Sequence, residues 1–329
     1  MNLAQRTVST PPRVCVCICT YRRPGSLALL LLGLAGQRFR RMPRPMISVI
    51  VTDNEGSAQV KDLCLDFGRG CFDDLLYLHE PRRGISHARN TCLDHVPEQA
   101  DFIAMIDDDE VPAQDWLEHL LVAQRESVAD VIIGPTIPTF ESQTPAWVAR
   151  SGFFEKPRNQ DSLVDLQPDP AAATCNALVR RRPLVASGVR FHPRLALSGG
   201  EDALFFRELR HAGCTFAWSA HARVFETVPP HKARLAYMLR EEFRRGNVRI
   251  FLNRFMQRQA RSVAGRRNAA RVRESRRATK RILSGLGALL ASLPHWSTRR
   301  DRMAMGAARI ARGVGMLSGV IGIRNRHYQ

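Results

Sequence analysis

The sequence predicts an α/β fold: a doubly wound, mostly parallel sheet with helices on both faces, followed by a basic C-terminal helical extension. Three observations carry this reading. Apolar runs of strand length at 14–19, 46–52, 75–79 and 102–106 alternate with helical stretches at 26–35, 59–67 and 85–95. Polar loops follow the strands at Thr20-Tyr21, at Asp53 and at Asp107 to Asp109, as expected where parallel strands end at one edge of a sheet. Charge, finally, is segregated along the chain. Residues 231–329 hold 24 Lys and Arg against 4 Asp and Glu, a net of +20, so the first 230 residues net −2 of the total +18.

Residues 14–19 are β-branched and Cys-rich, bounded by Pro11-Pro12 and by Thr20-Tyr21-Arg22-Arg23-Pro24, and read as a first, central strand. Cys15, Cys17 and Cys19 alternate, so they share one strand face and cannot all pair. None of the eight cysteines forms a CxxC pattern, and reduced, buried thiols in a cytosolic protein are expected. A Leu-rich helix over 26–35 ends near Gly36. The strand at 46–52 closes on Asp53-Asn54-Glu55-Gly56, which is turn chemistry. The strand at 75–79 leads through Glu80 to Gly84 into a helix that carries Arg89 near its start.

The run from Phe102 to Ile106 reads as a buried strand that empties into Asp107-Asp108-Asp109-Glu110. Adjacent carboxylates repel one another and need a cation or cationic side chains beside them. A hard divalent ion such as Mn2+ or Mg2+ takes its ligands from carboxylate, water and phosphate oxygens. An acidic turn capping a helix at 116–124, with Asp115 as N-cap, accounts for this stretch equally well by itself. No Gly-rich dinucleotide fingerprint or P-loop follows any of the strands, which weighs against dehydrogenases and NTPases.

Further on come a strand at 131–134, a Pro-rich loop to Trp147, a polar irregular stretch at 153–169 and a strand at 173–180. Ser198-Gly199-Gly200-Glu201-Asp202 directly precedes a helix at 203–211. The glycines permit a tight backbone approach, and the acids sit at the positive end of the helix. That pattern serves charge complementarity alone, or a carboxylate base within reach of a hydroxyl. The polar, Pro-broken residues 1–12 predict no signal peptide, and no apolar run reaches the length of a spanning helix.

In the basic region, Leu239, Phe243, Ile250, Phe251 and Phe255 recur at roughly helical spacing among arginines, followed by apolar stretches at 282–293 and 303–323. These are poor spanning helices and good interfacial ones, so docking on an anionic membrane surface is expected, with part of the stripe packing on the body. Nucleic acid is the weaker partner: no helix-turn-helix, zinc or aromatic platform accompanies the arginines.

Taken together, Val14 to Pro24, Val51-Thr52-Asp53-Asn54, Gly84 to Asn90 and Ile106 to Pro112 resemble, in order and spacing, the amino-terminal half of family 2 glycosyltransferases. The similarity is greatest to the bacterial exopolysaccharide branch that includes succinoglycan-type enzymes, and it covers about residues 13–250. It implies a GT-A-like catalytic domain over 1–230, with a nucleotide-sugar half at about 13–112 and an acceptor half at 113–230, and a separate basic region at 231–329. It also implies inverting transfer from a nucleotide-sugar, expected to be a UDP-sugar, to a polysaccharide or lipid-linked oligosaccharide. The work would be done in the cytoplasm, peripherally on the inner face of the plasma membrane. By the same resemblance Asp107 and Asp109 would hold Mn2+ or Mg2+. Thr20, Tyr21, Asp53, Arg89 and Asp108 would line the nucleotide, and Asp202 would be the base, assisted by Glu201. The alternative for Arg89 is a salt bridge to Asp94 or another surface acid. The family often carries a His after the strand beyond that helix; here Glu226 stands near the place, between His221 and His231, and their roles stay open. The rival expectation is a basic, membrane- or nucleic-acid-associated binding protein without catalysis.

Overall fold

A computed structural model describes residues 10–155, 174–259, 264–292 and 299–323. Most of the irregular stretch expected at 153–169 lies outside the described residues. The first strands and helices follow the predicted order: β1 (Arg13–Thr20), α1 (Pro24–Ala35), β2 (Met46–Asp53), α2 (Ala58–Gly68), β3 (Asp74–His79), α3 (Ile85–Asp94) and β4 (Phe102–Ile106). Next come β5 (Glu110–Pro112), α4 (Trp116–Ser127), β6 (Val131–Ile133), β7 (Thr136–Phe140) and α5 (Ala146–Arg150). Then follow β8 (Asn176–Arg180), α6 (Arg181–Ser187), α7 (Glu201–His211), β9 (Phe216–Trp218) and β10 (Val224–Val228). The basic region forms α8 (Leu235–Gln259), α9 (Ala264–Ala291) and α10 (Arg299–Ile321).

The main sheet has seven strands in the order β3-β2-β1-β4-β8-β6-β9, and β5, β10 and β7 form a smaller one. Strand β1 pairs in parallel with β2 and β4, and β2 with β3. Strand β8 runs antiparallel to both β4 and β6, while β6 and β9 are parallel. The sheet is therefore mostly parallel, with one reversed strand inserted in the middle.

Alternation along β1 explains the two cores. Val14, Val16 and Ile18 face one side, where Leu27, Leu30, Leu31 and Leu34 of α1 pack with Val60 of α2 and Trp116 of α4. Cys15 and Cys17 face the other, beneath Cys92 of α3 and Phe205, Phe206 and Leu209 of α7. The four α1 leucines recur at i, i+3, i+4 and i+7, and each buried one contributes about 2 kcal/mol. All eight cysteines are free thiols; Cys71 alone of them is exposed, contrary to the expected burial, because it sits in the loop after α2.

The chain divides into two compact units. The first comprises Met1–Thr136, Arg158–Phe191 and Phe205–Phe225; the second comprises Ile137–Pro157, His192–Leu204 and Glu226–Gln329. In the second unit α10 packs against both α8 and α9, and glycines make the approach possible. A Cβ at Gly315 would fall on the carbonyl of Phe243, and one at Gly285 would lie 2.7 Å from the carbonyl of Gly306. Helical glycine costs about 1 kcal/mol relative to alanine; here close backbone packing offsets it. The small residues of 303–323 thus serve helix packing, with Ala304, Ala308 and Met316 buried. On α9, by contrast, Val272, Leu283, Leu286 and Leu290 are exposed.

Candidate active site

In the first unit, strand order reverses at β1: one neighbour leads outward through β2, the other through β4. Loops at the carboxyl ends of strands diverge at such a point and leave a crevice. Thr20, Arg89 and Asp107 to Asp109, which the sequence singled out, are brought there together with Arg23, which it did not. Thr20 Oγ1 donates to Asp108 Oδ2 at 2.8 Å. Arg23, the residue before α1, donates from Nη1 to Asp108 Oδ1 at 3.0 Å and to Asp109 Oδ2 at 2.8 Å. Arg89 Nη2 donates to Asp107 Oδ1 at 3.1 Å, and its guanidinium lies 5.5 Å from the Phe191 ring centre. Asp94, the surface acid considered for Arg89, pairs with Arg190 at 2.7 Å.

Two guanidiniums thus provide the countercharge that the acidic run requires. Asp108 is buried, and burial pushes its carboxyl up to about 6; the Arg23 charge and the Thr20 hydroxyl oppose that rise, while Asp109 and Asp107 add to it. Asp115 stands at the N-cap position of α4 but makes no side-chain cap; its carboxylate lies 3.3 Å from His119 Nε2. The capping account of the acidic run therefore does not hold.

The donor chemistry suits a hard divalent cation. Asp107 and Asp109 offer carboxylate oxygens on side chains 38% and 27% exposed. Two residues that the sequence reading passed over also converge here. Ligand atoms of Asp107, Glu110 and Cys175 lie within 4.8 Å of one another. Glu110 is buried and accepts bonds from the Asp107 backbone N–H and from Thr136 Oγ1, both at 3.2 Å. Its place at the end of the acidic run was a usable signal, whereas nothing in the sequence ties Cys175 to it. Asn176, in β8, is buried and fully engaged: Oδ1 accepts from Trp116 Nε1, and Nδ2 donates to the carbonyls of Pro135 and Ala222.

On the nucleotide side, Tyr21 is exposed with the Arg22 guanidinium 5.1 Å from its ring centre. Arg22 adopts φ +58° and reaches Glu55 at 2.7 Å. Asp53 stands level with Thr20 in the sheet register. It is buried and accepts from the backbone N–H of Glu55 at 2.9 Å and of Ser57 at 2.6 Å, and from Tyr77 Oη at 3.2 Å. Its bonds shape the loop after β2.

A buried carboxylate sets the entry to α3. Glu80 accepts from the Arg82 backbone N–H and guanidinium at 2.7–2.8 Å and from Thr91 Oγ1 at 2.5 Å. Asn54 braces the same loop through the carbonyls of Glu80 and Arg82 and the N–H of Gly84, whose φ of +127° favours glycine. The Arg82 and Thr91 bonds lower the Glu80 carboxyl to about 2, against burial that raises it. A depressed acid stabilises the fold above its unfolded value near 4.5, and loses that contribution as pH falls through 2. Glu80→Gln is accordingly expected to cost at most about 3 kcal/mol at neutral pH. Urea unfolding of both proteins from pH 7 down to about 2 should show the difference shrinking below pH 4.5; a constant difference would reject the assignment.

In the second unit Gly199 and Gly200 take φ +73° and +88°, and their Cα atoms face Arg244 and Val248 of α8 too closely for a side chain. This turn delivers Glu201 and Asp202 to the start of α7. Glu201 is buried, and Asp202 Oδ1 accepts from the Ala203 backbone N–H at 2.7 Å. Glu226 lies 3.9 Å from Lys232 Nζ and His231 is exposed; His221 stands 5.3 Å from the His119 ring, in the first unit.

Fold and site together define the class: a glycosyltransferase on a GT-A sheet. Solved structures share that fold. Mannosyltransferase PcManGT from Pyrobaculum calidifontis, in complex with GDP-Man and Mn2+, superposes with a TM-score of 0.58 at 17% identity, covering 94% of this chain and 88% of that one. S. aureus TarS 1-349 in complex with UDP-GlcNAc does so with a TM-score of 0.53 at 14% identity, over 93% and 91%. In sequence, the chain is 35% identical over 308 residues to the succinoglycan biosynthesis protein ExoM of Rhizobium meliloti, 93% of this chain and 92% of that protein. The model of glycosyl transferase family 2 matches residues 15–186, and the chain belongs to that family. A binding protein without catalysis is thereby set aside.

Proposed function

We propose that this glycosyltransferase inverts the anomeric carbon of a nucleoside-diphosphate sugar, a UDP-sugar, as it passes the sugar to a hydroxyl of a polysaccharide or lipid-linked oligosaccharide. The arrangement of Thr20, Arg23, Asp108 and Asp109 at the switch point carries the reading. The ExoM relative, named for succinoglycan biosynthesis, supports the exopolysaccharide setting, and the neighbours that hold UDP-GlcNAc or GDP-Man with Mn2+ support the donor class. Tyr21 offers a ring to the base, while Asp53 holds the loop beside it. Arg89 and Asp108 complete the wall on the diphosphate and ribose side. Asp107 and Asp109 would hold Mn2+ or Mg2+, which supplies Lewis-acid stabilisation of the charge growing on the departing diphosphate.

Asp202 takes the proton from the acceptor hydroxyl as its oxygen bonds to the anomeric carbon and the bond to the diphosphate breaks. Glu201 orients it. Inversion needs only one such carboxylate, because no glycosyl-enzyme bond forms. The chain acts at the inner membrane face through its basic helices; among the described residues no helix is long and apolar enough to cross a membrane.

Calorimetry tests the donor reading. UDP is expected to bind in Mn2+ and to lose at least about tenfold in affinity in EDTA, a difference of about 1.4 kcal/mol. Equal affinity in both buffers would remove the metal from the proposal, and failure of every nucleotide-sugar to raise Tm in Mn2+ would remove the donor class.

A further inference from the structure

Within the second unit, α8, α9 and α10 line a half-open cavity of about 340 Å³, walled by Arg249, Arg277, Lys280, Arg281 and Arg309, with Ser284 and Met316. That volume is well beyond what one water or a single small ion occupies. Its charge is only partly met by the protein. Glu274 pairs with Arg277 at 2.8 Å, and Glu242 is taken up by Arg245 at 3.1 Å and Arg312 at 3.4 Å. Among the described residues no carboxylate forms an ion pair with Arg249, Lys280, Arg281 or Arg309. The buried Nε atoms of Arg249 and Arg312 have no hydrogen-bond partner. Burial lowers the pKa of Arg281, and repulsion from Arg312, Arg249 and Arg309 lowers it further, with Glu242 opposing. Cations gathered at this density without countercharge cost stability, and an anion with several oxygens relieves them. The planar fork of a guanidinium pairs bidentately with two oxygens of a phosphate.

The helix that supplies Arg277, Lys280 and Arg281 also carries an unpartnered apolar stripe. Leu283, Leu286 and Leu290 recur at i, i+3 and i+7 and are 60%, 45% and 69% exposed. Arg271, Arg276 and Lys280 border the same face around Val272 and Leu283. Lys280 lines both the cavity and the surface that holds Val272 and Leu283, so phosphate-binding chemistry and the apolar side chains meet at that residue, as recognition of an amphiphile requires.

We propose that this cavity binds the phosphate or diphosphate headgroup of an amphiphile whose apolar chain lies along the exposed leucines of α9. The proposal sharpens the membrane-face reading above and rests on it only for the source of the ligand.

The full chain is titrated in EDTA, which suppresses metal-dependent diphosphate binding elsewhere, with farnesyl diphosphate, inorganic diphosphate and farnesol. Farnesyl diphosphate is expected to bind at least about tenfold tighter than inorganic diphosphate, and farnesol not to saturate. The double variant Arg249→Gln/Arg281→Gln should weaken both anions by about tenfold or more as charge-assisted bonds are lost. Its unliganded Tm should hold or rise, because a repelled cation has gone. Leu283→Gln/Leu286→Gln should weaken farnesyl diphosphate alone. Equal affinity for the two diphosphates would overturn the amphiphile, and binding unaffected by the arginine variant, or no binding, would overturn the site. Sedimentation with phosphatidylglycerol vesicles separates the two readings: vesicle binding without farnesyl diphosphate binding leaves the membrane reading standing and removes the cavity, and the converse result does the opposite.

Discussion

Asp202→Asn is expected to lower transfer by about 10²- to 10⁴-fold, the range a positioned general base contributes, while donor affinity stays unchanged. The substitution is nearly isosteric, and an amide oxygen still accepts the bond that Asp202 Oδ1 takes from the Ala203 backbone N–H. The start of α7 should therefore persist, and the loss should fall on kcat. Measuring transfer beside calorimetric UDP affinity separates the two. Turnover close to wild type would move the base to Glu201, whose Gln variant then becomes the decisive one.

Asp109→Asn is expected to remove most metal-dependent donor binding, a loss of about 3 kcal/mol or roughly 10²-fold. Asp109 is the more exposed of the two acids bridged by Arg23, and Asp108 keeps its bonds to Thr20 and Arg23 in the variant. Its fold should thus survive, in contrast to Asp108→Asn, which would alter the buried member. The measurement is the heat of Mn2+ binding with UDP present. Should Asp109→Asn retain wild-type Mn2+-dependent affinity, the ion belongs to the neighbouring carboxylates of Asp107 and Glu110, and variants there would locate it.

Much of the site was legible because its parts follow strand ends. Thr20, Asp53 and Asp107 to Asp109 each terminate an apolar run, and parallel pairing of β1 with β2 and β4 brings those ends level. What those residues touch was not legible. Asp53 is expected to line the nucleotide, yet its oxygens are taken by Glu55, Ser57 and Tyr77. Glu80 and Glu110 read as loop acids, yet both are buried by partners distant in the chain, Thr91 for the one and Thr136 for the other. Likewise, the Gly-rich segment at 303–323 has the composition of an interfacial helix, but its glycines lie against Phe243, Gly285 and Asn247.

Period and charge order alone determined that this chain would make a doubly wound sheet, end its strands in polar loops and carry its positive charge in late helices. Those properties depend on neighbours within a few residues, where side-chain periodicity and local repulsion act. The reversed insertion of β8 between β4 and β6, the capture of Asp108 and Asp109 by Arg23, and the gathering of five cations around one cavity required the fold itself. Each depends on contacts between segments far apart in the chain, whose pairing is selected by burial and packing summed over the whole core and is written in no single stretch.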